Sequence, residues 1–95
     1  MSTKIRNIDL MELVSMSTSR IRLSLSHDVR GRDIICISTN KGYADYILCD
    51  YIHSIKECDS IVVIRIPKGT FMGDRKVKIN FNSFVIQTEK EVFCC

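Results

Sequence analysis

The stretch Gly42-Tyr-Ala-Asp-Tyr-Ile-Leu-Cys-Asp-Tyr-Ile-His-Ser-Ile-Lys-Glu57 constrains the fold most, because it fits two elements and each implies a different protein. At helical spacing, Ala44, Ile47, Leu48, Tyr51, Ile52 and Ile55 make one apolar stripe. At period two, Ile47, Cys49, Tyr51 and Ile55 share a strand face, with Tyr46, Leu48, Asp50 and Ile52 on the other; His53 interrupts the alternation. Helical counting fits the spacing better. The stiff or bulky Tyr and Ile side chains favour a pleated surface. The neighbouring segments have to decide.

Those neighbours are mostly strand-like. Asn7 or Asp9 can cap a short helix over residues 8–16, with Leu10, Met11, Leu13 and Val14 at helical intervals. Arg20–Ser26 then alternates, with Ile21, Leu23 and Leu25 on one face. His27-Asp-Val-Arg-Gly31 supplies turn chemistry before Asp33–Thr39, which is apolar on both faces, so these segments predict a hairpin. Asn40-Lys-Gly42 is a further turn. Beyond the ambiguous stretch, Cys58-Asp-Ser60 breaks the pattern ahead of the β-branched run Ile61–Ile66, which Pro67 ends. Lys76–Asn82 alternates cleanly, with Val77, Ile79 and Phe81 inward, and Ser83–Thr88 extends the sheet after a bend. Residues from Glu89 are expected to fray.

Ninety-five residues without an internal repeat or a Pro/Gly/Ser-rich divider are read as one domain, 1–95. Reading 43–55 as a strand, with Asp45–Ile52 extended and continuous with the sheet, gives a helix and five strands around one interior. That interior takes Ile21, Leu23, Ile35, Ile37, Ile47, Cys49, Val63, Val77, Ile79 and Phe81, closed by Leu10 and Val14. A net charge of +3 from dispersed Lys and Arg selects no partner class. The first residues lack a secretory signal's apolar core and no apolar run reaches the length of a membrane span, so the reading is a cytoplasmic and nuclear protein in a reducing compartment. Five cysteines without a CxxC pair argue against a disulfide framework; Cys36 and Cys49 read as small buried hydrophobes.

The order of pieces, from about Asp9 to Phe81, resembles the Sm-like family. Leu13-Val14 stand on a helix before the first strand, and Gly31 lies where the family has a glycine at the start of its second. Asp45-Tyr-Ile-Leu-Cys-Asp50 is similar to the family's Asn-x-x-Leu-x-Asp, and Phe71-Met-Gly-Asp-Arg-Lys-Val77 to a loosened Ile-Arg-Gly-x-x-Val. The resemblance implies a strongly bent five-stranded small barrel. The family's RNA-base pocket would fall on Ser38 or Thr39, Asp45 and Met72, which lack the usual Asp, Asn and Arg. A barrel without that pocket is similar to the Gemin-type Sm-like subunits of the SMN complex, which serves spliceosomal snRNP assembly. It is also similar to the auxiliary Sm-like subunit of an N-terminal acetyltransferase. The implied function is a non-catalytic subunit without a cofactor, which pairs with another Sm-like protein through strand edges. Those edges would comprise Ile61, Val62, Val63, Ile64, Arg65, Ile66, Phe71, Met72, Lys76, Val77, Lys78 and Ile79.

An OB-fold barrel is the alternative, with a short helix at about Tyr51–Cys58 and single-stranded nucleic acid as ligand. Tyr43, Tyr46 and Phe71 would stack bases beside Arg22, Lys76 and Lys78. No motif signals catalysis. His27 and His53 have no Cys or carboxylate at zinc-ligand spacing, and Gly69-x-x-x-Gly73 lacks the Lys-Ser/Thr ending of a phosphate loop.

Overall fold

The computed structural model describes residues 4–67 and 75–90. In chain order the elements are β1 (Arg6–Asn7), α1 (Leu10–Ser15), β2 (Ile21–His27), β3 (Asp33–Thr39), β4 (Ala44–Leu48), a 3-10 turn (Cys49–Tyr51), β5 (Ser54–Cys58), β6 (Ile61–Ile66), β7 (Arg75–Asn80) and β8 (Val85–Lys90). All strand pairs are antiparallel, in two sheets ordered β2-β3-β4 and β1-β5-β6-β7-β8. Neither sheet closes on itself. The mainly β expectation holds, while the count of five strands is corrected to eight, among the described residues, in two open sheets.

The chain groups into two compact units, Ile8–Tyr51 and the described residues up to Asn7 together with those from Ile52 onward. In the first, Asp9 caps α1 by accepting from the Glu12 N–H at 2.8 Å. The helix ends a residue short of the expected range and packs against β2, with Leu13 fully buried and Met11 exposed. Alternation places Ile21, Leu23, Ile35, Ile37 and Ile47 on one buried face. Leu25 continues that row and is exposed, while Ile34 is buried on the opposite face, so β3 is apolar on both sides as its composition suggests.

The β2–β3 turn is built around Asp28. Its carboxylate accepts from the N–H groups of Arg30 and Arg32 at 2.9 and 2.8 Å and from Arg32 Nε at 2.7 Å. Gly31 follows at φ +79, a conformation that suits glycine. The Arg32 amide above all, then its guanidinium and the Arg30 amide, hold the Asp28 carboxyl below its ordinary range. A lowered carboxylate pKa stabilises the folded turn above the unfolded pKa, and that contribution is lost as pH falls through the folded value. The Arg30 and Arg32 amide resonances should therefore titrate with a midpoint below 3.8. An NMR midpoint at or above that value would contradict this account of the turn.

The stretch that fits both helix and strand is divided between the two units. Ala44–Leu48 is extended, Cys49–Tyr51 makes one 3-10 turn, and Ser54–Cys58 is a separate strand. The expectation of an extended Asp45–Ile52 thus holds through Leu48 and fails beyond it. His53, which broke the alternation, sits just before β5, and its N–H donates to the Arg65 carbonyl at 2.8 Å. Asp59 takes φ +56 in the tight β5–β6 turn. The OB reading's helix at Tyr51–Cys58 is not formed, because β5 is held in ladders by β1 and β6. Ile55, Val62, Ile64, Ile66, Val77 and Ile79 are buried on one face of this sheet. The Asn80 side chain accepts from the N–H groups of Asn82 and Ser83 at 3.0 and 3.1 Å, turning the chain into β8 through Phe84 at φ +56. Glu89 and Lys90 belong to β8, in register with Lys76 and Arg75, so the expected fraying does not begin at Glu89.

Candidate interaction edges and a basic sheet face

The residues assigned to partner edges lie elsewhere in the ladder than the sequence suggests. β6 is hydrogen-bonded to β5 and β7, and β7 to β6 and β8. Ile61–Ile66 and Lys76–Ile79 therefore form the interior of the five-stranded sheet, and their backbone groups are used within the chain. Val62, Ile64, Ile66, Val77 and Ile79 are buried; Ile61 and Val63 are half-buried; Arg65, Lys76 and Lys78 are exposed on the opposite face. Phe71 and Met72 lie outside the described residues, as do Gly69-x-x-x-Gly73 and Cys94-Cys95. The physical reason for the correction is β8, which adds to β7 and moves the edge outward by one strand.

The sheet edges differ in how they are covered. On β2, the Ser17 hydroxyl contacts both the N–H and the carbonyl of Leu23 at 3.0 Å, and Thr18 serves Ile21 in the same way, with its Oγ1 accepting at 3.0 Å and its own N–H donating at 2.8 Å. On β4, the Tyr46 N–H donates to Asp45 Oδ1 at 2.8 Å. β5 carries the two-residue strand β1, fastened where Arg6 Nε meets Glu57 Oε2 at 2.6 Å. Side chains and short segments of this kind blunt an edge against further pairing. Among the described residues nothing covers the outer side of β8, and Val85 there is exposed.

The residues of the nucleic-acid alternative are divided between the units. Arg22 and Tyr46 share the exposed face of the three-stranded sheet, through the pairs Arg22↔Ser38 and Cys36↔Tyr46. Tyr43 is half-buried before β4 and its hydroxyl donates to Asp45 Oδ2 at 3.4 Å. Lys76 and Lys78 stand on the five-stranded sheet, where register adds two cations that motif reading passed over, Lys56 and Arg65. Only the register Lys56↔Val63↔Lys78 reveals that grouping; the sequence offers no local signal for it.

Among the described residues, the remaining reactive side chains do not converge. His27 Nε2 faces Asp33 Oδ1 at 3.0 Å across the β2–β3 hairpin, with both side chains well exposed. Cys36, Cys49 and Cys58 are free thiols and half-buried, less enclosed than the sequence suggests for the first two. Burial first, then the charges of Asp33 and Asp50, pushes the Cys49 thiol up, away from a reactive thiolate at neutral pH. Among the described residues no group of three His, Cys, Asp or Glu could hold a metal ion. None of their helices is long and apolar enough to cross a membrane. Compared with protein-family models, curated proteins and solved structures, the chain matches none.

Proposed function

We propose that this protein is a non-catalytic assembly subunit that joins a partner by strand addition at β8. The observation that carries the reading is the six-residue β8, which among the described residues is paired on one side only, while Ser17 and Thr18 occupy part of the β2 edge and β1 has only two residues. Strand addition at such an edge takes its affinity from main-chain hydrogen bonds and its specificity from alternate side chains. Val85 and Gln87 would present one face to the partner strand and Ile86 and Thr88 the other.

The Sm-like expectation supplies the class of partner. Helix α1 followed by the meander β2-β3-β4, with Asp45–Asp50 spanning β4 and the turn, supports an Sm-like reading, and on it the partner is another Sm-like protein in a heteromer. The interior position of β6 and β7 changes which strand offers the contact. Purification of the tagged chain followed by light scattering tests this reading. The expected result is a stoichiometric heteromer in which the β8 amides gain protection from exchange; a monomer that retains no partner would contradict it.

A further inference from the structure

The outer face of the five-stranded sheet carries an unneutralised group of cations. Lys56 of β5, Val63 of β6 and Lys78 of β7 form one cross-strand row, and Ser54, Arg65 and Lys76 form the next. Neighbours across strands stand about 5 Å apart and residues two apart along a strand about 7 Å, so the four basic residues share a patch roughly 10 Å by 7 Å at the backbone. All four are exposed, and among the described residues none is engaged in an ion pair. Arg65 and Lys76 are direct cross-strand partners, an arrangement of like charges that weakens a sheet. Folding gains nothing from it. An anionic ligand would.

Beside the cations lies a shallow depression of about 270 Å³, whose apolar wall includes Ile5, Ile61 and Val63. Its one described carboxylate, Glu57, is held by Arg6 at 2.6 Å. On the β8 side, Gln87 and Glu89 are the register partners of Lys78 and Lys76.

We infer that this face binds the phosphodiester backbone of a single-stranded nucleic acid without reading its sequence. The three lysine ammoniums act as point charges toward phosphate, and the Arg65 guanidinium suits a phosphate oxygen pair bidentately. The apolar wall accommodates the unpaired base and sugar surfaces that a single strand exposes and a duplex conceals. No aromatic side chain stands on this face among the described residues, so stacking contributes nothing and the affinity is electrostatic. This goes beyond the assembly role and rests on a different surface from the β8 edge.

Fluorescence anisotropy of a labelled oligothymidylate with the full chain, between 50 and 200 mM salt, tests the inference. Neutralising four phosphates on a single strand gives a slope of log K against log salt of about −2.8, from about −0.7 per contact. The double variant Lys76→Gln/Lys78→Gln should halve that slope to about −1.4. Arg22→Gln, on the other sheet, should leave it unchanged, and the proline substitution in β8 that removes only an outward-directed N–H should not reduce it. Thermal unfolding of the double variant should match or exceed the parent, since a like-charge contact is removed. A parent slope shallower than about −1, or a slope the double variant does not change, would overturn the inference. Polyglutamate binding as tightly as the oligonucleotide, and lost in the same variant, would also overturn it and make the face a docking surface for acidic protein.

Discussion

Ile64→Ala should lower the unfolding free energy by about 2–5 kcal/mol. Ile64 is fully buried at the centre of an interior strand, in register with Ile55 of β5 and Val77 of β7, which are also buried. Its truncation removes the transfer free energy of the lost carbons and leaves a cavity that ladders on both sides prevent from collapsing. The adjacent Arg65→Ala should change stability within about 0.5 kcal/mol, or raise it slightly by relieving the contact with Lys76. Urea denaturation with an unchanged m-value measures both. A loss below about 1 kcal/mol for Ile64→Ala would mean that β6 is not an interior strand of a packed sheet.

The other large effect falls on association and comes from a pair of proline substitutions. Successive residues of an antiparallel edge strand direct their backbone groups alternately to the neighbouring strand and outward. Of Ile86→Pro and Gln87→Pro, one therefore removes a ladder hydrogen bond to β7, while the other removes only an outward donor and is tolerated, as proline is on edge strands. The outward substitution should preserve the unfolding midpoint and weaken partner binding by at least tenfold, since it deletes a main-chain hydrogen bond and obstructs the approaching strand. The inward substitution should lower stability by about 3 kcal/mol. Calorimetric unfolding and titration with the purified partner separate the two effects. Equal loss of stability in both variants, or full binding by both, would remove β8 as the assembly edge.

Local patterning made several elements legible. Val77, Ile79 and Phe81 alternate inward with Lys76 and Lys78 outward, and the strand follows that pattern. Ile61–Ile66, closed by Pro67, forms β6 with the expected bounds, and Asp9 sits at the helix N-cap. Legibility stopped where the deciding contacts are distant in sequence. Ser54–Cys58 has a single buried residue, Ile55, and becomes a strand because β1 and β6 flank it. Tyr51 and Ile52 satisfy both periods equally well, so the 3-10 turn that divides the stretch leaves no mark in the pattern.

Strand order was legible least of all. Ser83–Thr88 reads as an extension of the sheet after a bend, and the turn at Asn80–Phe84 folds Val85–Lys90 back alongside β7, so that β7 lies between β6 and β8. The basic face had the same cause of concealment. Lys56 is twenty residues from Lys76 in sequence and two strands away in the sheet, and no local rule brings them together.

Amide hydrogen exchange by NMR on the isolated chain tests the position of the open edge most directly. In β6 and in β7 up to Ile79, amides directed to either side are laddered and should exchange slowly. In β8 protection should alternate with period two, slow for amides directed to β7 and fast for those directed outward. Uniform protection throughout Val85–Thr88, together with alternating protection along β6 or β7, would contradict the account and place the open edge on an inner strand.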